Sequence, residues 1–265
     1  MDAAVAETPL LSVQGVTLQY RTREQLITAT YRVSFDVLQA ERFVVLGPSG
    51  CGKSTLLKAV GGYIRPVEGR ILLNGAEVAA PGPDRALVFQ EFDQLLPWKT
   101  VRDNIVFALT ASGKLARKAA VERAMHFIDK VGLTRFADNY PHTLSGGMKQ
   151  RVAIARALAM EPEILLMDEP FAALDALTRE RMQEELLNLW SDSRFTLLFV
   201  THSIPEAIRV GDRILLLSAH PGQAKAELNS PGADVRGEDG ALLSERIQRI
   251  LFDRLVEEGS RHVRS

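Results

Sequence analysis

The chain has 265 residues, 46% of them hydrophobic, enough to bury the core of one large domain, or of a domain with a small appendage, without a metal or disulfide. Its 32 Lys and Arg balance 33 Asp and Glu, which excludes a global field toward nucleic acid or an anionic lipid surface and leaves partners to be recognised locally. The single cysteine, Cys51, excludes an internal disulfide framework and fits a reducing, cytosolic setting.

In chain order, Met1 to Pro9 lacks the basic and apolar regions of a signal peptide, and no later run approaches the ~18 apolar residues of a spanning helix. Apolar, β-type runs predict strands at Leu10–Tyr20 and Tyr31–Leu38, arranged as a hairpin. Arg42–Leu46 reads as a buried strand running into a glycine-rich turn and a helix from Lys53 to about Gly61, the order of a mononucleotide site. Strands follow at Arg70–Asn74 and Ala86–Gln90. From Val101 to about Pro141 the pattern is helical, with Ala119, Val121, Met125, Ile128 and Val131 at helical spacing. Strands return at Glu163–Asp168, Thr196–Thr201 and Arg213–Leu217, alternating with helices over Leu177–Trp190 and Pro205–Val210. That alternation predicts an α/β fold, a parallel sheet with helices on its faces. Ser218–Gly240, rich in Gly, Pro and Ala, reads as a loop or linker. A last helix over Ala241–Glu258 puts Leu243, Ile247, Ile250, Leu251 and Leu255 on one face, expected to dock on the parent domain.

Gly47-Pro48-Ser49-Gly50-Cys51-Gly52-Lys53-Ser54 fits the pattern G-x-x-x-x-G-K-[ST] and follows the apolar run Phe43-Val44-Val45-Leu46. Glycines there let the backbone wrap a phosphate, so that successive N–H groups and the following helix N-terminus face negative charge. Lys53 adds a cation for the β- and γ-phosphates, and the Ser54 hydroxyl suits Mg²⁺. Ile164-Leu165-Leu166-Met167-Asp168-Glu169 is an apolar strand ending in two carboxylates. In an α/β sheet, ligands bind at the carboxyl ends of strands. Asp168 there can hold Mg²⁺ through water, and Glu169 can orient or deprotonate a water in line with a γ-phosphate. Alone, such a pair is equally a capping or surface feature. Leu144-Ser145-Gly146-Gly147-Met148-Lys149-Gln150-Arg151 opens a helix, with Ser145 as N-cap and two glycines whose N–H groups make a second anion site. One chain seldom needs two phosphate sites, but two copies arranged head to tail would each complete the other's.

That octapeptide resembles the signature motif of ATP-binding-cassette ATPases, and the other landmarks of the family stand in order. The resemblance covers about Leu10 to Ser218. It implies a P-loop NTPase fold with a mixed or parallel sheet core, an N-terminal antiparallel β subdomain, and an α-helical signature subdomain over about residues 95–160. The cassette would occupy 10–218, with a linker and C-terminal helix over 219–265. It implies that the chain binds and hydrolyses ATP with Mg²⁺ held by Ser54, Gln90 and Asp168, and that Glu169, His202 and Gln90 are catalytic. It further assigns nucleotide contacts to Tyr20, which would stack on adenine, to Gly47 through Thr55, and, across a dimer, to Ser145, Gly146, Gly147, Gln150 and Asp175. Cys51 sits at a variable position of the loop, where its backbone rather than its sulfur should matter, and where a thiol reagent would block the site.

Pro81-Gly82-Pro83-Asp84-Arg85, Leu95-Leu96-Pro97-Trp98, Val101-Arg102-Asp103-Asn104 and Pro170-Phe171-Ala172-Ala173-Leu174-Asp175 resemble the branch that imports nitrate, sulfonates and taurine. Ser203 departs from the acidic residue usual after the switch histidine, and Ala40 from a glycine before the loop strand. The implied partners are an integral membrane permease gripped near Gln90 to Trp98, with Leu95 and Trp98 as apolar contacts, a second copy of the chain, and a solute-binding protein. No nucleic-acid partner is implied, and the expected location is peripheral, on the cytoplasmic side of the membrane. A soluble cassette protein of DNA repair or translation usually carries two cassettes or a long coiled-coil insertion, and neither is read here. A P-loop GTPase or small-molecule kinase would lack the signature octapeptide.

Overall fold

The first two strands reach further than their apolar runs. β1, Leu11–Arg21, and β2, Leu26–Val37, pair antiparallel from Leu11↔Val37 to Arg21↔Leu26. Leu26-Ile27-Thr28-Ala29-Thr30 was not expected in a strand. Its β-branched residues suit a pleated surface, but its two threonines and small alanine leave no apolar run. The computed structural model describes residues 8–21, 25–230 and 237–261. Most of the acidic N-terminal stretch and part of the predicted 218–240 loop lie outside them, as does the Leu255 side chain. The chain divides into two compact units, Met1–Pro81 with Leu198–Ser265, and Gly82–Leu197.

In the first unit, β1 lies between β2 and β4 (Glu68–Leu73), and β5 (Ala76–Glu77) completes a four-stranded antiparallel sheet. A second sheet is built on β3, Arg42–Leu46, whose residues Phe43 to Leu46 are 0–1% exposed. Such an unbroken buried run marks a strand covered on both faces. β9 (Arg213–Leu217) runs parallel beside β3, from Phe43↔Arg213 to Leu46↔Leu216. β8 (Thr196–Thr201), which the division between the units crosses, lies on β3's other side. Beyond β9 is a strand that the sequence did not announce, β10 (Ala224–Asn229), antiparallel to it inside the stretch predicted as loop. Its Ala-Lys-Ala-Glu-Leu-Asn sequence alternates, but only Leu228 is a large apolar residue and none is β-branched or aromatic, so the alternation is a weak strand signal.

Helix α1 (Lys53–Val60) follows β3 through the glycine-rich turn, and α6 (Ile204–Val210) packs on β3. The last helix, α7 (Glu238–Arg261), packs on α6, β9 and β10 with Ile247 at 0% and Leu251 at 7% exposure, the expected docking face. Lys225 of β10 reinforces it, its Nζ donating to the carbonyls of Ile250 (2.9 Å) and Leu251 (3.2 Å). No described helix is long and apolar enough to cross a membrane.

In the second unit, β6 (Arg85–Val88) and β7 (Ile164–Asp168) run parallel, from Arg85↔Ile164 to Val88↔Met167. Helices α2 (Val101–Ala111), α3 (Arg117–Lys130) and α4 (Gly146–Ala159) pack on one another, and α5 (Ala176–Ser193) follows β7. Of the expected stripe, Ile128 and, just past α3, Val131 are buried, but the rest of the buried face is Ala120 and Ala124 in place of Ala119, Val121 and Met125. Small residues four apart let the neighbouring helices approach closely, and the larger apolar side chains fall to the flanks.

Asn104, 1% exposed on α2, ties down the segment before the helix. Its Oδ1 accepts from Leu96 N–H (2.8 Å), and its Nδ2 lies within donating distance of the Leu96 (3.1 Å), Lys99 (3.1 Å) and Thr100 (3.0 Å) carbonyls. Asn104→Ala strands those groups in a buried position and should lower the unfolding free energy by about 2–3 kcal/mol. Urea unfolding measures this, and an unchanged midpoint would show that the segment holds itself.

Candidate functional site

The glycine-rich turn of the first unit is shaped by backbone that side chains would obstruct. Gly50 and Gly52 have φ of +79° and +97°, the left-handed region where Cβ is disfavoured. A Cβ on Gly52 would also lie 2.5 Å from the Ala29 carbonyl oxygen of β2. Gly52 caps α1 without a side-chain hydrogen bond, and Leu56 N–H donating to Gly52 O (2.8 Å) is the helix's first closed turn. A helix start capped by glycine keeps its positive end open to an anion. Lys53, 4% exposed, folds back so that Nζ donates to the carbonyls of Gly47 and Pro48, both at 2.9 Å. Its charge is thereby centred over the turn. Cys51 is 0% exposed, which corrects the expectation of a reagent-accessible thiol: its sulfur packs inward beneath Gly47.

Two further candidates of this unit are on the surface. Tyr20, near the end of β1 and paired with Ile27, is 48% exposed, leaving a ring face available for stacking. His202 is exposed directly after β8. The turn around it is fixed by a residue that the sequence did not single out, Glu206, a 6% exposed carboxylate hydrogen-bonded by the Thr201 hydroxyl. Thr201 Oγ1 in turn accepts from Ser203 N–H at 3.0 Å.

In the second unit, β7 delivers Asp168, 8% exposed, and then Glu169. Glu169 has φ +43°, a left-handed conformation that a non-glycine residue adopts at a cost. Ala172 N–H donates to its carbonyl at 3.1 Å, closing the turn that Pro170 begins. Strain of this kind, held by its surroundings at a carboxylate, is common at reactive sites. Ser145 is exposed and caps α4, its hydroxyl accepting from Met148 N–H at 3.3 Å, and Gly146 and Gly147 form the helix's first turn. Asp175 caps α5 the same way, accepting from Thr178 N–H at 3.0 Å.

Gln90 is exposed, but two residues past the end of β6 rather than at it. The loop that carries it is bound to α4 by residues whose role the sequence hid. Gln94 spans the loop, accepting from Phe89 N–H (3.1 Å) and donating to the carbonyls of Phe89 and Glu91, both at 3.0 Å. Gln150 is 0% exposed, its Nε2 donating to Phe89 O and its Oε1 accepting from Gln94, both at 3.3 Å. A side chain so committed is a brace within its own unit. Further along α4, Arg156 donates to Gln94 O at 2.9 Å, and burial lowers its guanidinium pKa from the usual value. Arg151 pairs with Glu185 at 2.5 Å; burial raises that carboxyl while the Arg151 charge pulls it back down.

Among the described residues, no cluster of three or more His, Cys, Asp or Glu could by itself enclose a metal ion. Mg²⁺ keeps several waters and takes one or two protein oxygens beside phosphate oxygens. The donors present, the Ser54 hydroxyl, the Gln90 amide and the Asp168 carboxylate, are hard oxygen ligands of that kind.

A glycine-lined turn between a buried strand and a helix, with a lysine centred over it, defines a P-loop nucleotide-binding protein. Residues 30–172 match the ABC transporter family, and the chain belongs to it. A taurine import ATP-binding protein of Rhizobium johnstonii is 50% identical over 221 residues, 83% of this chain and 84% of that protein. A nitrate import ATP-binding protein of Synechococcus elongatus is 44% identical over 227 residues, 85% and 82% of the two chains. The fold is that of a dimeric ATP-binding cassette solved in a post-hydrolysis state with ADP and Pi, with TM-score 0.72 and 33% identity over 84% of this chain and 99% of that one. The chain is accordingly an ATP-binding ABC ATPase.

The Asp175 cap carries a pH signature. Hydrogen bonds from the Thr178 hydroxyl, then from its N–H, hold the carboxyl below its usual value of 3.8. A carboxyl depressed in the folded state contributes stability above the unfolded pKa, and that contribution disappears as pH falls through the folded one. Asp175→Asn keeps a capping oxygen but no charge. Its unfolding midpoint should trail the wild type at neutral pH and meet it in acid below pH 3.8. A gap that persists in acid would contradict the charge-based cap.

Proposed function

We propose that this ABC ATPase energises the uptake of a small anion, of the nitrate, sulfonate or taurine class, through a membrane permease, working from the cytoplasmic side with a solute-binding protein in the same system. The import names of the relatives support this reading, and so do the Leu95-Leu96-Pro97-Trp98 and Pro170-Phe171-Ala172-Ala173-Leu174-Asp175 stretches. Trp98, at 70%, is the most exposed large apolar side chain among the described residues, and tryptophan is enriched at protein interfaces.

The observation that carries the catalytic reading is the pairing of features on each unit. The first unit offers a lysine-centred anion cradle, and the second a strained carboxylate after a buried strand and a serine-capped helix opening on two glycines. In this reading, residues Gly47 to Thr55 cradle the triphosphate and Tyr20 stacks on adenine. Ser54, Gln90 and Asp168 would hold Mg²⁺, which would supply positive charge to offset that of the phosphates. Glu169 takes the proton of the attacking water, and Gln90 and His202 position that water and the γ-phosphate. Ser145, Gly146 and Gly147 close over the triphosphate held by a second copy, with Asp175 at the same junction. The exposure of Ser145 supports this, since a buried serine could reach no neighbour. ATP is then the adhesive between two copies, and loss of the γ-phosphate contacts releases them.

Glu169→Gln removes the base while keeping size and hydrogen bonding. Turnover should fall by about 10²-fold or more, with ATP affinity kept within a few-fold. Steady-state phosphate release and equilibrium binding of a fluorescent ATP analogue measure the two, and normal hydrolysis by the variant would remove Glu169 from the chemistry.

A further inference from the structure

The turn after β9 lies in the stretch where the sequence shows only loop, yet it makes backbone contact with the phosphate loop. A Cβ placed on Gly222 would lie 2.2 Å from the carbonyl oxygen of Cys51. Gly222 N–H donates to Ala29 O and Tyr31 N–H donates to Gly222 O, both at 2.9 Å, so the glycine is held as a one-residue bridge on β2. Gly52 meets the same strand, its would-be Cβ 2.5 Å from Ala29 O. At the other end of the loop, a Cβ on Gly47 would lie 3.1 Å from the carbonyl of Leu217, the last residue of β9. The rear of the phosphate loop is thus in contact with the 217–222 segment at Gly47 and Cys51 and with β2 at Gly52.

The turn is itself closed. Ser218 N–H donates to Gln223 O and Gln223 N–H donates to Ser218 Oγ, both at 2.9 Å. The Ser218 hydroxyl lies 3.0 Å from the carbonyls of Ala219 and Pro221. Gly222 is not in the left-handed region, so closeness rather than backbone conformation demands glycine there. The obstructing atom is a main-chain carbonyl, which no rotamer change can move aside.

We propose that the Ser218–Gln223 turn is the rear support of the phosphate loop, with Gly222 and Ser218 as positioning residues for triphosphate binding. The proposal rests on the loop being the triphosphate cradle. A cradle made of backbone amides binds well only if those amides are held in place before the ligand arrives. The nearest atoms that a Cβ on Gly222 or Gly52 would meet are main-chain carbonyl oxygens, of Cys51 and Ala29, so a shift of the turn passes through backbone to Cys51 and Gly52.

The chain's one cysteine gives a readout independent of nucleotide. Cys51 is 0% exposed, so its reaction with a disulfide reagent such as DTNB below the unfolding temperature reports displacement of the loop. In the full chain, Gly222→Ala should raise the Kd for a fluorescent ATP analogue and the KM for ATP by about tenfold or more, with kcat at saturating ATP little changed. It should also speed Cys51 labelling at temperatures where the protein remains folded. Ser218→Ala, which removes the hydroxyl without a clash, should do the same to a smaller degree, and Ser218→Thr should restore wild-type values. If Gly222→Ala does not fold, the serine pair decides. Wild-type affinity and wild-type labelling in Ser218→Ala, with only a lowered unfolding midpoint, would overturn the proposal by reducing the turn to general stability. Lys53→Ala separates the two levels: weaker ATP binding there with unaffected turn variants rejects the support alone. Unchanged affinity in Lys53→Ala removes the cradle reading and the support with it.

Discussion

Binding a triphosphate through main-chain N–H groups requires a backbone curved around an anion, and a backbone so curved has no room for a Cβ at its tightest positions. The sequence Gly47 to Ser54 meets that constraint with Gly50 and Gly52 in left-handed conformations, and the Ala29 carbonyl of β2 packs against Gly52 where a Cβ would lie. The burial of Cys51 follows from the same crowding, as does the inward fold of Lys53 onto the Gly47 and Pro48 carbonyls. Strand β3 anchors one end of the loop with Phe43 to Leu46 buried, and α1 anchors the other.

The second unit solves a different problem, that of joining two recognition segments rigidly. The exposed N-terminus of α4, with Ser145, Gly146 and Gly147, shares its helix with Gln150 and Arg156, and these two hold Phe89 and Gln94 of the loop carrying Gln90. Burial makes those bonds costly to break, since each leaves a desolvated amide or guanidinium without its partner. The start of α4 and the 89–94 loop therefore move as one body. In the proposed motor this is the property needed, because whatever closes over nucleotide at Ser145 also carries the segment running on to Trp98.

Much of the fold was legible, for physical reasons that also explain the exceptions. Arg42–Leu46, Thr196–Thr201 and Arg213–Leu217 were placed to the residue, because strands covered on both faces read as unbroken apolar runs. β10 was missed because an edge strand with one large apolar residue has no such pattern, and the face of α3 was partly misplaced because its other contacts are made by alanines. At the site, the motif residues were named in advance, since phosphate loops and capped helices have fixed local spacing. The braces were not: Gln94, Gln150, Arg156 and Glu206 act over long sequence separations or within turns of ordinary polar composition. Asn104 had one available signal, a polar residue directly before Ile105 and Val106 on the apolar side of a helix.

The central claim is that each ATP is enclosed by the phosphate loop of one copy and the opening of α4 of another. Sedimentation of the purified chain, with hydrolysis blocked, tests it directly with and without ATP, beside a Ser145→Arg variant that fills the glycine-lined opening with a bulky side chain. The account predicts a doubling of mass on adding ATP, lost in Ser145→Arg although the variant still binds nucleotide as a single chain. A mass that stays at one chain throughout saturating ATP, or a doubling that Ser145→Arg leaves untouched, would contradict it.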